Sequence, residues 1–149
     1  MYDRILVPLD GASVSAQVLT HVAALAGRFN ALVTLVQVVA PPVYPPVPVL
    51  PGSYTDPERT VERARQEGQR ELDRLAEVLR AQGLSVVTAQ LEGTLANELA
   101  GYARRHDDDL VVMADPARSG LGRLFSDRVA ETLLQGASCP VLLVPVPAR

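Results

Sequence analysis

The chain has 149 residues and a formal net charge of −3 at pH 7. That length favours one domain, residues 1–149, and the negative charge argues against a nucleic-acid partner. No apolar run approaches the ~20 residues of a membrane-spanning helix, and the N-terminus predicts a strand instead of a signal peptide, so we expect a cytoplasmic protein without a membrane partner. Every basic residue is arginine, which excludes lysine-based chemistry such as a Schiff base.

The N-terminal third predicts two strands around one helix. Residues 5–9 (ILVPL) form an apolar run without alternation, which is typical of a strand buried on both faces. Ser13 is the predicted N-cap of a helix that ends near Phe29, and residues 31–39 predict a second strand because they are rich in β-branched side chains. The predicted buried face of the helix carries Val14, Val18, Val22 and Leu25.

A proline-rich segment interrupts this pattern at residues 40–57. Six prolines between positions 41 and 51 favour an extended, polyproline-like connector that neither a helix nor a central strand accommodates. Two interpretations stay open. The segment is either a stiff loop over the mouth of the fold or a docking peptide, residues 41–51, for protein partners.

The C-terminal two thirds continue the alternation of helices and strands. Residues 55–58 (TDPE) predict the start of a helix that runs to about Gln82, because a capping residue precedes proline and an acid. Further strands are predicted at 84–91, 109–113 and 140–145, with helices at 94–106 and 127–135 between them. Prolines at both ends of the last strand suit the edge of a sheet. The predicted buried face of the long helix carries Ala64, Leu72, Leu75, Ala76 and Leu79.

This order predicts an α/β fold with a single doubly wound, five-stranded parallel sheet and helices on both faces. Ligands of such sheets bind beyond the carboxyl ends of the strands, where the strand order reverses. The candidate residues are therefore 8–10, Val38, Val39 and 114–128. Residues 111–128 run from an apolar strand through a small, arginine-bearing loop into a helix, which is the local layout of a phosphate cradle.

Four segments together resemble the universal stress protein family: ILVPLDG at 5–11, LVQVV at 35–39, DLVVM at 109–113 and CPVLLVP at 139–145. The loop SGLGRL at 119–124 is also similar to the family's loop. The resemblance implies a flavodoxin-like or Rossmann-like domain of the adenine nucleotide alpha hydrolase-like type. It also implies a homodimer formed through the last strand, Val141 to Val144.

Some members of that family bind ATP with a pattern of glycines after the fourth strand. Other members lack the pattern and do not bind ATP. The pattern positions here are Ala114, Ala117, Asp127 and Arg128, and all four depart from it. The resemblance implies that a nucleotide, if held, contacts nine positions: Pro8, Asp10, Val38, Met113, Ala114, Ala117, Asp127, Arg128 and Val129. Asp10 is either an adenosine contact or a turn residue after the first strand.

The departures predict a degenerate site. Ala114 and Ala117 each add a methyl group where glycines allow close approach. Asp127 places a carboxylate at a helix N-terminus that otherwise favours phosphate, and at ~5 Å the repulsion is about 3 kcal/mol per phosphate charge near a protein surface. Arg118, Arg123 and Arg128 oppose that effect. We therefore expect no firmly held cofactor, with ATP as the possible one.

No residue pattern indicates an enzyme. Ser119 lies outside any Gly-x-Ser-x-Gly elbow, and neither His21 nor His106 lies at metal-ligand spacing. The three aspartates at 107–109 predict a solvated turn, and Cys139 predicts a small buried hydrophobe. Three functional classes stay open: a dimeric stress-response module, an adenine-nucleotide switch with a variant phosphate loop, and a binder of some other small anion. We expect no catalytic residues beyond incidental ATP hydrolysis, and no metal.

Overall fold

A computed structural model describes residues 1–9, 16–44, 56–115 and 127–145, with only the backbone of Ala16 and of residues 127–130. The predicted Ser13 cap, Val14 and most of the proline-rich segment lie outside the described residues. The described residues contain nine elements, which alternate in the predicted order: β1 Arg4–Leu9, α1 Ala16–Phe29, β2 Leu32–Val39, α2 Pro57–Ala81, β3 Ser85–Glu92, α3 Leu95–Arg105, β4 Leu110–Ala114, α4 Asp127–Gly136 and β5 Val141–Val144.

The five strands form one parallel sheet in the order β3-β2-β1-β4-β5. The predicted fold class is confirmed. β1 is central, and the chain crosses to one side of it for β2 and β3 and to the other side for β4 and β5. The strand order therefore reverses between β1 and β4, and β5 is an edge strand as the flanking prolines predict.

Two apolar layers hold the helices against the sheet. Alternate residues of β1 point to opposite layers, so that Val7 belongs to the first and Leu6 to the second, and neither is exposed to solvent. The first layer packs under α1 and α2, with Val22 and Leu72 fully buried. The second packs under α3 and α4, with Leu99 and Leu133 fully buried. The three inner strands β2, β1 and β4 are buried on both faces because helices cover both.

The long helix α2 corrects one part of the predicted core. Asp56 caps its N-terminus by accepting a hydrogen bond from the Glu58 N–H at 3.0 Å, and Pro57 follows as the first helical residue. Ala64, predicted to be buried, is exposed, whereas Gly68 one turn later is buried. After Pro57, the buried positions of α2 begin at Gly68, so the second and third turns lie beyond the apolar cover of the sheet.

The turn between α3 and β4 is a second correction, because only Asp107 of its three aspartates is exposed as predicted. The Asp108 side chain is only 5% exposed. Asp109 is half-buried, and its Oδ2 accepts hydrogen bonds from the N–H groups of Asp3 at 2.8 Å and Arg4 at 2.9 Å. Asp109 therefore joins the start of β1 to the start of β4.

Cys139 is half-buried and packs against the second apolar layer, which agrees with its prediction as a small hydrophobe. Burial raises the pKa of its thiol, and the charges of Asp108 and Asp109 raise it further. No helix among the described residues is long and apolar enough to cross a bilayer. Nor do those residues bring three metal-ligating side chains together.

Candidate functional site

The candidate site is the edge of the sheet where the central strands end. β1 ends at Leu9, β2 at Val39 and β4 at Ala114, so the switch point between β1 and β4 opens onto this edge. The helix α4 begins at Asp127 and follows the loop that leaves β4. The structure thus brings the predicted residues Pro8, Val38, Met113 and Ala114 to strand ends at one edge of the sheet. We call this region the carboxyl edge.

The side chains of the strand-end residues at the carboxyl edge are buried or half-buried. Pro8 is buried, Val38 is 6% exposed, and Met113 is not exposed at all. Val38 and Met113 pack in the layer under α3 and α4, while the half-buried Ala114 packs against the layer under α1 and α2. Sequence reasoning located these residues at the correct strand ends. Their side chains pack into the core, so what these positions offer a ligand is chiefly backbone.

The structure describes only some of the remaining residues predicted to contact a nucleotide. Asp10 and Ala117 lie outside the described residues. Asp127, Arg128 and Val129 are described as the first turn of α4, and only their backbone is described. Asp127 is the first residue of the helix, which is the position the sequence assigned to it. A carboxylate in a first helical turn interacts favourably with the helix dipole, so Asp127 suits this position without any bound anion.

Asp115 is a further acidic residue of the carboxyl edge, one that the sequence placed only within the candidate loop. It directly follows β4, it is half-buried, and its N–H donates to the carbonyl of Val144 at 2.8 Å. That amide is committed to the neighbouring strand and does not serve a phosphate. The sequence signal for Asp115 is its position immediately after a strand that borders the switch point.

The tight turn between β3 and α3 lies next to the end of β2. The Gly93 N–H donates to the Val39 carbonyl at 3.1 Å, and Gly93 has a φ of +141°, a conformation that side chains rarely adopt. A Cβ at this position would lie 2.9 Å from Oε1 of Glu98 on α3. Glycine is therefore required where β3 turns into α3, next to the end of β2.

A neutral network of amides fixes α2 behind the carboxyl edge. Gln37 of β2 is buried, and its Oε1 accepts a hydrogen bond from Gln90 Nε2 at 2.8 Å. The same Gln90 amide donates to the Arg65 carbonyl of α2 at 2.8 Å. Gly68 lies directly over this pair, and a Cβ there would overlap the Gln37 amide. The close approach of α2 explains why glycine occupies a buried position in a helix.

Comparison with known proteins identifies the chain's relatives. The model of the universal stress protein family matches residues 1–145. This chain belongs to the universal stress protein family. A universal stress protein of Methanocaldococcus jannaschii is 33% identical over 149 residues, which are 100% of this chain and 85% of the relative.

Solved structures of family members share the fold. A universal stress protein from Burkholderia pseudomallei is 31% identical, with a TM-score of 0.74 and 97% of both chains covered. A universal stress protein from Archaeoglobus fulgidus, solved in complex with dAMP, is 20% identical, with a TM-score of 0.67 and 95% and 97% of the two chains covered. The family and the Rossmann-like architecture that the sequence predicts are thus confirmed.

Proposed function

We propose that this universal stress protein is a cytoplasmic, homodimeric stress-response module that does not bind ATP tightly. The observation that carries the proposal is the start of α4 at Asp127. ATP-binding members of the family have glycine at this position, whereas here a carboxylate occupies the helix N-terminus that would receive phosphate. Asp115 adds a second carboxylate at the end of β4. No dedicated catalytic activity belongs to the proposal.

The magnitude of the repulsion supports weak binding. Each phosphate charge ~5 Å from a carboxylate near a protein surface costs about 3 kcal/mol, and 1.4 kcal/mol corresponds to a tenfold loss of affinity. One carboxylate thus lowers the affinity for a polyanion by about 10²-fold or more. Ala114, the last residue of β4, is a further departure from the family's glycine pattern.

Ligand-induced thermal stabilisation tests this proposal. A site with a Kd of about 10 µM gains about 2.7 kcal/mol at 1 mM ligand, which raises the Tm of a domain of this size by about 5–10 °C. We expect no such shift for the wild type with 1 mM MgATP, and a shift of several degrees for Asp127→Gly/Arg128→Ser.

The control is Glu131→Gln, which removes one exposed negative charge of α4 one turn after Asp127 and should leave the Tm insensitive to ATP. A wild-type shift of several degrees would overturn the proposal. Absence of a gain in the double variant would show that Asp127 is not the residue that closes the site.

A second candidate function is an adenine-nucleotide switch with a variant phosphate loop. The observation that favours it is the relative from Archaeoglobus fulgidus whose structure contains dAMP. A monophosphate carries less charge than ATP and meets less repulsion from Asp127. Under this alternative, dAMP raises the Tm of the wild type while ATP does not.

The homodimer part of the proposal is supported by the exposure of β5. Within the described part of the chain this edge strand has one neighbouring strand, β4, and its residues Val141, Leu142 and Leu143 are half-buried. An unpaired strand edge with apolar side chains favours association with another strand, and a second copy of the chain supplies one by two-fold symmetry. Protein partners at residues 41–51 are a further part of the proposal, for which the proline-rich sequence is the support.

A further inference from the structure

The end of the sheet opposite the carboxyl edge contains a buried carboxylate that the proposed function does not use. Asp108 lies between α3 and β4, in the α3–β4 joint that we define as residues 103–109. Its side chain is 5% exposed, and its Oδ2 is buried without a hydrogen-bond partner. Among the described residues, this is the only buried side-chain oxygen or nitrogen that lacks a partner. An ionised carboxylate in that position is costly because its Oδ2 is buried and no donor among the described residues bonds it.

The joint itself is well connected, so the unpartnered oxygen is not the result of a loose turn. The Asp108 N–H donates to the Ala103 carbonyl and the Asp109 N–H to the Arg4 carbonyl, both at 2.9 Å. Arg4 also donates through its guanidinium to the His106 carbonyl at 3.1 Å. Asp107, with a φ of 52°, reverses the chain between α3 and β4. These bonds fix the backbone around Asp108 and hold its side chain inside.

Several charged or titratable groups surround Asp108. Arg4 comes from β1, Tyr102 and His106 from α3, Asp107 and Asp109 from the joint, and Cys139 from the approach to β5. Burial is the largest effect on Asp108 and raises its pKa from 3.8 to about 6. The positive charges of His106 and Arg4 oppose the increase, while the negative charges of Asp109 and Asp107 add to it. Burial, then the charge of Asp108, also raises the pKa of Tyr102.

We propose that the α3–β4 joint is a pH-responsive latch, which closes more firmly when the buried carboxyl group of Asp108 takes up a proton. In the closed joint the ionised carboxylate is unsatisfied, and opening returns it to water. Protonation removes that cost and leaves the closed joint favoured. The latch therefore tightens on mild acidification, which is opposite to the usual loss of stability when carboxylates are protonated.

The sign follows from the two protonation states. Because the pKa in the closed joint lies above that of an exposed aspartate, closing takes up a proton between pH 4 and 6. The stabilisation by protonated Asp108 is fully present below about pH 4 and is lost as the pH rises through about 6. With pKa values of 3.8 and about 6, the equilibrium constant for opening rises about tenfold between pH 5 and pH 7.5.

Hydrogen exchange of the joint amides measures this equilibrium directly. We expect the protection factors of the Asp108 and Asp109 amides in the wild type to be about tenfold higher at pH 5 than at pH 7.5. Asp108→Asn should remove most of that pH dependence, since the amide stays neutral. Asp107→Asn is the matched control, because it removes an exposed charge from the same turn and asparagine tolerates its positive φ.

His106 needs its own variant because histidines titrate in the same pH range. His106→Gln should retain the response, and loss of the response in that variant would assign the latch to histidine and overturn the proposal. An unchanged pH dependence in Asp108→Asn would overturn it as well.

A second measurement does not depend on any variant folding. The carboxyl carbon resonance of Asp108 in the wild type should titrate near pH 6, and a midpoint below about pH 4.5 would contradict the latch.

Discussion

The two ends of the sheet are built from different chemistry. The amino end is tied by charged groups, with Arg4 and Asp109 joining β1 to the α3–β4 joint and Asp108 buried among them. Behind the carboxyl edge, neutral amides hold α2 on the strands through Gln37 and Gln90. Burial of Asp108 makes the stability of the amino end depend on pH, whereas the two glutamine amides behind the carboxyl edge do not titrate, and the Arg65–Glu92 ion pair beside them is partly exposed to water. Ligand selection at that end depends instead on the acidic groups that line the edge itself.

The largest expected effect is a change of oligomeric state, and it distinguishes the two edge strands β5 and β3. A charge introduced by Leu143→Glu on β5 should convert the proposed homodimer to a monomer in sedimentation velocity, because a buried carboxylate at an interface costs several kcal/mol. Val87→Glu is the matched control, since Val87 lies on the opposite edge strand β3 and is 41% exposed. If Leu143→Glu remains dimeric and Val87→Glu does not, the interface lies at β3.

The amide network predicts a large effect of a single methyl group. Gly68→Ala forces a Cβ into the Gln37 amide and should lower the free energy of unfolding by about 2–3 kcal/mol. Gly27→Ala is the matched control in α1, where a Cβ meets no neighbour within 4 Å. It should raise stability by about 0.5–1 kcal/mol through helix propensity. Urea denaturation measures both, and equal effects of the two substitutions would contradict the close approach of α2.

The charged ties at the amino end predict a smaller effect. Asp109→Ala removes the acceptor of the Asp3 and Arg4 amides and should lower the free energy of unfolding by about 1–2 kcal/mol at pH 7, because these bonds are partly exposed to water. Asp73→Ala removes an exposed carboxylate of α2 that bonds only within its own helix, and it should change stability by less than about 0.5 kcal/mol. Urea denaturation at pH 7 compares them, and a loss no larger than that of Asp73→Ala would contradict the tie.

Most of the fold was predictable because its helices and strands follow from hydrophobic periodicity and proline positions, which are read from the local sequence. The five strands, their parallel order and the edge position of β5 follow from runs such as residues 5–9 and from prolines 140 and 145. The exposure of Ala64 and the burial of Gly68 were not predictable, since they depend on where the sheet ends beneath α2 and on the Gln37 amide. A periodic pattern predicts which face of a helix is buried, but it does not predict how many turns of that face are buried.

The candidate site was predictable to the level of strand ends. Pro8, Val38, Met113 and Ala114 lie where the topology requires, because parallel strands end at one edge. The burial of Asp108 was missed, since three consecutive aspartates are typical of a solvated turn and the groups near the middle one include Arg4 and Cys139, which are distant in sequence. Burial of a single carboxylate depends on contacts between distant segments, which no local pattern records.

The central claim is that the carboxyl edge of this universal stress protein does not hold ATP tightly. Calorimetric titration of MgATP into nucleotide-free wild-type protein tests it most directly. The account predicts no saturating isotherm up to about 1 mM ATP, which corresponds to a binding free energy weaker than about −4 kcal/mol. A one-to-one isotherm with a micromolar Kd would contradict it, and Arg128 would then be the residue to test as a phosphate ligand.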